Sequence, residues 1–287
     1  MLPMPADKIR FRFAKTGFLR LLSHHDLMRC LERMLRRADL PIKTTAGFRP
    51  GPRIVYPLPL PLGIVGWNEV VEMEFLRELE PEAVLIALNA QAPDGLRFLS
   101  ARPIPAQTTA RVRRVEYRLP VPQDRLGLLR VLLDDLLQQQ QIWIPRLRPT
   151  PKYLNIRPYL RRLSVDTASQ FAPAASTADA LHGPAEGSHT VLHMDVWVTQ
   201  DGTARAEEIV RLLHLADWLD QGAVLERTLV ELHDDIPTAS ADDHPPDRPA
   251  ESRPLEPETL AAMLRAERCK SPSCDAPEHR VEGSVVE

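Results

Sequence analysis

The sequence predicts an α+β fold. Hydrophobic residues make up 44% of its 287 residues, which is enough to build cores. Stretches with the hydrophobic periodicity of strands alternate along the chain with stretches that have the periodicity of helices. The order of these stretches is β-α-β-β-α-β, and it occurs twice. From residue 236 onward the composition shifts to Pro, Asp and Glu, which is typical of disordered segments. We therefore predict two tandem ferredoxin-like units, at residues 7–105 and 110–235, and a disordered acidic tail at 236–287.

The first strand and the first helix each have an apolar face. Residues 8–15 alternate apolar and charged side chains, as a strand with one face in the core does. In the helix that follows, leucines recur at helical spacing over residues 27–35, and the pattern S-x-x-D at Ser23 and Asp26 predicts a capping box at its start. The opposite side of this helix, which we name the arginine face, carries Arg29, Arg33, Arg36 and Arg37.

Prolines predict where the next strand lies in the sheet. Pro57, Pro59 and Pro61 would remove donors from a single edge, so residues 53–63 are predicted to form a protected edge strand. A mobile insertion rich in Ala, Ser and Pro is predicted at about 167–188. The other strands and helices are predicted at residues 68–75, 81–91, 96–104, 110–121, 123–139, 142–147, 190–199, 205–219 and 223–232.

Charge is distributed unevenly along the chain. Residues 1–165 hold 27 Lys and Arg against 15 Asp and Glu, and residues 166–287 hold 9 against 24. Clustered basic residues gain affinity for polyanions by releasing counterions from phosphates, so the first part predicts a nucleic-acid surface that the second part could shield. The alternative is that these charges only keep exposed faces solvated.

Residues 152–162 interleave basic and aromatic side chains. Basic groups suit phosphates and aromatic rings suit bases, so this stretch predicts a contact with an RNA strand. The predicted contacts are Lys152, Tyr153, Arg157, Arg161 and Arg162 in this stretch, with Arg49 and Arg53 in the turn after the first helix.

Motifs of common enzymes are absent from the sequence. It has no phosphate-binding loop, no dinucleotide-binding glycine pattern, no H-E-x-x-H and no G-x-S-x-G. Cys269 and Cys274 could hold zinc only with ligands from elsewhere, so we expect no metal or other cofactor. An odd cysteine count fits a reducing compartment, and no run reaches the roughly 18 apolar residues of a membrane span. We therefore expect a cytoplasmic protein without membrane contact.

Two histidines, His24 and His25, lie at the start of the first helix. Imidazole titrates near neutral pH and can bind phosphate or transfer a proton, whereas the positive end of a helix disfavours its charged form. Three roles are open for His24: ordinary packing, an RNA or substrate contact, and catalysis. It is a weak candidate for a catalytic residue, and the sequence offers no stronger one.

Three motifs in order resemble a known family. KTGFLRLLSHHDLMRCLERMLRRADLP, GFRPGPRIVYPLPLPLG and NEVVEMEF resemble the bacterial radical SAM-linked proteins, which contain a domain of unknown function found beside or fused to radical S-adenosylmethionine (SAM) enzymes. The resemblance covers roughly residues 8–104 and continues more loosely to about 235. His24 carries it, whereas His25 and Arg49 depart from the family pattern.

The resemblance implies a radical SAM enzyme as partner. Such enzymes bind their iron–sulfur cluster through closely spaced cysteines, usually C-x-x-x-C-x-x-C, and this sequence has no such triplet. Any radical chemistry is therefore expected in a separate chain.

Three functions are compatible with these observations. The first is a non-catalytic accessory module that binds RNA, either tRNA or ribosomal RNA, and docks on a radical SAM enzyme. The second is a metal-independent ribonuclease in which His24 transfers a proton, by analogy of fold with CRISPR repeat-processing nucleases. The third is a protein–protein adaptor whose basic face receives an acidic partner. The arginine face of the first helix and the basic stretch 152–162 favour the first function.

Overall fold

The computed structural model describes residues 6–48, 50–167, 190–235 and 250–269. Within these residues the chain has the α+β class that the sequence predicts. The strands are β1 (Ala6–Lys15), β2 (Ile54–Val55), β3 (Val65–Leu79), β4 (Leu96–Pro103), β5 (Val112–Val121), β6 (Trp143–Arg146), β7 (Lys152–Asn155), β8 (Leu160–Thr167), β9 (Thr190–Thr199), β10 (Gly202–Thr203), β11 (Glu226–Leu232) and β12 (Ser252–Pro254). The helices are α1 (His24–Arg37), α2 (Pro81–Asn89), α3 (Leu126–Gln138), α4 (Ala206–Leu212), α5 (Ala216–Asp220) and α6 (Pro257–Cys269).

Nine of these strands form one mixed sheet. Its order is β10-β9-β5-β11-β3-β1-β4, while β2 pairs with β3 and β8 pairs with β9. The two parts of the sheet meet where β11 runs parallel to the start of β3, with Arg227 opposite Gly66. On either side of this junction the neighbouring strands are antiparallel. The strands therefore form a continuous sheet, and not two separate ones.

Two hydrophobic cores pack on this sheet. In the first core, β1, β3 and β4 pack with α1 and α2. In the second core, β5, β9 and β11 pack with α3 and α4. Helix α1 contributes Leu27, Leu31, Met34 and Leu35 to the first core, which leaves its arginine face on the outside.

Strand β1 is buried on both faces, although the sequence predicted only one. Ile9, Phe11 and Phe13 lie in the first core as predicted, but Lys8 and Arg10 on the opposite face are each only 4% exposed. The Lys8 ammonium donates to the Thr108 carbonyl at 2.5 Å, and Arg10 donates to Asp234 at 2.6 Å. Segments distant in sequence therefore cover the charged face.

The predicted edge strand over residues 53–63 is largely wrong. Only Ile54 and Val55 pair, with β3, and the chain then leaves the sheet. Leu58 and Leu60 pack against the second core instead. The alternating prolines have no N–H groups to donate along one edge of this stretch. Along the other edge, packing of Leu58 and Leu60 on the core takes the place of strand pairing.

The second half of the chain departs from the predicted order of elements. The predicted strand at 142–147 forms β6, which belongs to a separate three-stranded sheet of order β12-β7-β6. Strand β8, which the sequence analysis missed, takes the place beside β9. The predicted helix at 205–219 is divided into α4 and α5 near His214, whose φ of 53° interrupts the helical backbone.

The C-terminal region also differs from the prediction. Residues 250–269, predicted to be disordered, contain β12, which pairs with β7, and helix α6. The rest of that tail, 236–249 and 270–287, lies outside the described residues, and so does the predicted insertion from residue 168 onward. Among the helices that the structure describes, none combines the length and the apolar character that crossing a membrane requires.

Candidate nucleic-acid interface

Acidic residues of the second part of the chain pair with arginines of the first part. Arg114 binds Asp195 at 2.8 Å and Arg118 binds Glu226 at 2.6 Å. These pairs, like Arg12 with Asp235 and Arg146 with Glu208, neutralise charge within the fold. Within the described residues, part of the charge difference along the sequence is therefore compensated by these pairs.

The start of α1 is fixed by Ser23 and Asp26. Ser23 is the N-cap, and its hydroxyl oxygen accepts a hydrogen bond from the Asp26 N–H at 3.2 Å, as predicted. The second half of the predicted capping box differs, because the Ser23 hydroxyl donates to the Asp26 carboxylate at 2.7 Å. This hydrogen bond lowers the pKa of Asp26. The ionised carboxylate then pairs with Arg29 at 3.2 Å.

Three residues of the arginine face surround one open cleft. Arg29, Arg33 and Arg37 are spaced four residues apart, so they lie on one side of α1. The cleft has a volume of about 510 Å³, and we name it the arginine cleft. Its lining residues are Leu19, Leu22, Asp26, Arg29, Cys30, Arg33, Arg37 and Pro93. The lining thus combines three arginines and one aspartate with the apolar side chains of Leu19, Leu22 and Pro93.

The arginines of the cleft differ in their partners. Arg29 binds Asp26, and Arg37 donates to the side chain and the backbone carbonyl of Gln91 at 3.0 and 2.9 Å. Arg33 is exposed and has no ion-pair partner among the residues that the structure describes. Its guanidinium is therefore available to an anion from outside the chain.

Arg36 and Arg53, two other predicted contacts near α1, do not line this cleft. Arg36 pairs with Glu32 at 3.1 Å on the exposed surface. Arg53 pairs with Glu74 at 3.1 Å. Arg49 lies outside the described residues.

The basic and aromatic stretch 152–162 is a second surface. Its strands β7 and β8 contribute to the second core, whereas α1 packs on the first. Arg157 donates to backbone carbonyls of residues 137, 139 and 160, and Arg161 binds Asp195 while lying over the Trp197 ring. Both arginines therefore already serve the fold. Arg162 in β8 is exposed.

The C-terminal region covers part of that second surface. Strand β12 pairs with β7 at Lys152 and Tyr153, and the Tyr153 hydroxyl lies 3.1 Å from the Thr259 hydroxyl. The Arg253 guanidinium lies 4.6 Å from the Trp143 ring centre and 4.9 Å from that of Tyr153. Trp143 was not predicted as a contact, although closely spaced strand patterns at β6 and β7 would place its ring near Tyr153 in a hairpin.

His24 packs against Tyr56 and does not line the arginine cleft. The two rings meet edge to face with centres 5.0 Å apart. Burial, together with the charges of His25 and Lys15, lowers the pKa of His24, which favours the neutral imidazole. Of its three open roles, this geometry favours packing.

No metal-binding arrangement is found within the described residues. Among them, no three side chains of His, Cys, Asp or Glu are grouped to hold an ion. Cys274 lies outside these residues. The prediction that Cys269 and Cys274 hold no zinc is therefore not tested and stays a prediction.

Comparisons with known proteins give a family but no activity. Residues 8–197 match the family described as "Uncharacterized protein conserved in bacteria (DUF2344)". No curated protein matches the chain. A crystal structure of an unknown protein from Galdieria sulphuraria is 12% identical, covering 78% of this chain and 99% of that chain with a TM-score of 0.21.

Proposed function

Because the chain belongs to the DUF2344 family, whose description names no activity, we propose a function from its geometry: a non-catalytic accessory module that binds RNA. The arginine cleft carries this proposal. Arg29, Arg33 and Arg37 line it together with a single acidic residue, whereas Arg114 and Arg118 each pair with an acidic residue of the fold. The lining of the cleft therefore has three positive side chains against one negative side chain.

The cleft has the chemistry that a phosphate-bearing strand requires. Guanidinium groups bind phosphate with two parallel hydrogen bonds, and exposed arginines release counterions from the nucleic acid when they do so. The apolar walls at Leu19, Leu22 and Pro93 suit the flat face of a base. We take tRNA and ribosomal RNA as the two RNA classes to test.

A charge-reversed double variant tests this proposal. Arg33→Glu with Arg37→Glu reverses two charges of the cleft, and the matched control reverses Arg77 and Arg130, which are exposed on other elements. We expect the first variant to bind RNA at least about tenfold more weakly in low salt. The slope of log affinity against log salt should fall by about 1.4, since each single-strand phosphate contact contributes about 0.7.

The controls separate RNA binding from a general charge effect. The double variant of Arg77 and Arg130 should keep most of the affinity and the salt slope. Equal losses in both variants would contradict a specific cleft. The RNA should be recovered intact after incubation, because this proposal assigns no cleavage; cleavage that His24→Ala abolishes would support the ribonuclease instead.

We also propose a radical SAM enzyme as the partner, on the resemblance of the motifs that include His24. Exposed apolar side chains beside the cleft support a protein contact. Phe18, Leu21 and Leu62 are exposed, and the Gly63 N–H donates to the Arg20 carbonyl at 2.9 Å, so the turn carrying Leu62 lies beside residues 17–21. Such apolar groups are typical of docking surfaces.

This apolar group also supports the adaptor as a second candidate function. Recovery of tagged protein from its own cell lysate tests both. An iron–sulfur enzyme recovered together with RNA, with RNA lost in the Arg33 and Arg37 variant, is expected. The same enzyme recovered without RNA after a high-salt wash would favour a protein–protein adaptor. Loss of that enzyme in Leu21→Ser would assign the contact to the apolar group.

For the architecture, we propose that each part of the sheet is a ferredoxin-like unit. The first part has the antiparallel order β4-β1-β3-β2, and the second has β11-β5-β9-β8. Both orders place the first and third strands of a β-α-β-β-α-β unit at the centre, which supports this proposal. β8 would then be the second strand of its unit, and β6 and β7 an insertion before it.

A further inference from the structure

A short C-terminal segment is fastened to the β6–β7 hairpin by a few specific contacts. Ser252, Arg253 and Pro254 lie opposite Leu154, Tyr153 and Lys152 in an antiparallel pair. The Asn155 N–H donates to the Glu251 carbonyl at 2.9 Å. Arg253 is the centre of this attachment, because its guanidinium contacts two aromatic rings.

The two rings, of Trp143 and Tyr153, lie on one face of the hairpin. Tyr153 is opposite Pro145 and Trp143 is opposite Asn155, so the rings are diagonal neighbours. Arg253 lies over both, at 4.6 and 4.9 Å from their centres. We name these two side chains the aromatic pair.

The attachment is small enough to be reversible. Strand β12 has three residues, all of them exposed, and Pro254 has no N–H to donate. The segment is covalently joined to β11 only through residues 236–249, so it can leave the hairpin without disturbing a strand of the large sheet. An occupant of comparable strength could replace it.

We infer that the aromatic pair is a second RNA contact, which stacks unpaired bases and is occupied by Arg253 when RNA is absent. This inference rests on the proposed RNA binding. Every base has a π face, and stacking of a base on an aromatic side chain is comparable in strength to a cation–π contact. RNA that reaches the hairpin therefore competes with the C-terminal segment for the same rings.

The charges of the hairpin suit the phosphates of RNA. Lys152 lies in β7, and the exposed Arg148 lies in the turn between β6 and β7. These groups attract phosphates. Residues 250–269 hold three Arg and four Glu, so the segment is not strongly cationic, and its covalent attachment to the chain raises its effective concentration at the hairpin.

Full-length variants that weaken the attachment test the inference. Arg253→Ala removes the guanidinium, and Arg265→Ala is the matched control, since Arg265 is exposed on α6 of the same segment. The probe is a short fluorescent oligouridylate, followed by anisotropy. We expect Arg253→Ala to bind it about tenfold more tightly, because the fraction of free aromatic pairs rises. Losing a positive charge alone would weaken binding, so a gain cannot come from charge.

Variants of the rings identify the site. Adding Trp143→Leu or Tyr153→Leu to Arg253→Ala should return the affinity to the wild-type value. Two ring variants are used so that a folding defect in one does not decide the outcome.

The outcomes separate this inference from the proposed function. If the wild type binds the probe through Arg33 and Arg37 but Arg253→Ala does not bind more tightly, the inference is overturned and the proposed function stands. If neither protein binds any RNA, the proposed function fails and the inference fails with it. If Arg253→Ala gains binding only for a peptide of residues 250–269, the aromatic pair is a peptide site and the RNA assignment is overturned.

Discussion

The buried pair of Glu69 and Arg227 gives the sharpest test of how the two parts of the sheet are joined. Glu69 lies in β3 and Arg227 lies in β11, at the parallel junction. Their side chains are 3% and 1% exposed. The Arg227 guanidinium donates to both Glu69 carboxylate oxygens, one at 2.8 Å, and also to the Leu58 carbonyl at 2.8 Å. Two strands and one loop therefore meet at a single charged group.

Replacing Glu69 with glutamine should destabilise the protein strongly. The substitution keeps the shape of the side chain but leaves the Arg227 charge buried without its counter-ion, which costs about 3–5 kcal/mol. Lys15, only 1% exposed, adds to this cost because it also interacts with the Glu69 charge. At about 2–4 °C per kcal/mol for a chain of this size, the melting temperature should fall by on the order of 10 °C.

Calorimetry of three variants separates the effect of breaking a buried ion pair from the effect of removing an exposed carboxylate. Glu32→Gln removes the partner of Arg36 from an exposed pair, 45% and 77% exposed, and should cost at most about 0.5 kcal/mol. The double variant Glu69→Leu with Arg227→Leu should melt above Glu69→Gln, since it removes the unpaired Arg227 charge and leaves only Lys15 without the nearby carboxylate. Equal melting temperatures for Glu69→Gln and Glu32→Gln would refute the reasoning.

Three further predictions concern the start of α1 and the residues beside it. Ser23→Ala removes the hydroxyl that accepts from the Asp26 N–H and should cost about 1 kcal/mol in urea unfolding; Ser23→Thr should recover most of this, and an equal loss in both would argue against capping. Tyr56→Phe removes a buried hydroxyl that has no hydrogen-bond partner among the described residues, so the melting temperature should stay the same or rise, and a clear fall would reveal a partner. His24 has a pKa lowered by burial and by neighbouring positive charge. The unfolded chain therefore binds more protons, and stability falls as pH drops through the ordinary imidazole pKa of about 6.5 towards the lower value of the fold. His24→Gln should lose less stability than the wild type between about pH 7 and pH 5, although His233, whose pKa is also lowered, keeps part of the slope. Parallel stability curves would show that His24 does not contribute.

Local patterns in the sequence were sufficient for α1 and for one face of β1. The helix follows from leucine spacing and from Ser23 as its cap, and both signals lie within the helix or next to it. The apolar face of β1 follows from alternation over residues 9–13. The burial of Lys8 and Arg10 could not be predicted in this way, because Thr108 and Asp234, which cover them, are remote in sequence.

Strand pairing was predicted less well than helix formation, for the same physical reason. A strand gains its stability from neighbours that the chain order does not specify. Residues 142–147 have the strand period, yet β6 pairs with β7 in a small sheet while β8 takes the place beside β9. Residues 160–162 were instead interpreted as part of the basic stretch 152–162, so the alternation that continues to Leu163 and Val165 was not read as a strand.

The arginines show why net charge along a sequence is a poor guide to a binding surface. Arg114, Arg118 and Arg161 contribute to the predicted basic half, but each lies next to an acidic residue from the other half. The carboxylate compensates most of the positive charge of such an arginine. The arginine would have to break this ion pair to bind a phosphate.

Arg33 has no such ion pair among the described residues. Helical spacing places it with Arg29 and Arg37 around a cleft whose lining contains one acidic residue, Asp26. The difference between these two groups of arginines is one of geometry and not of composition. It predicts that reversing the charge of Arg118 should mainly change stability, because its partner Glu226 is then left facing a like charge. Reversing the charge of Arg33 should mainly change RNA affinity.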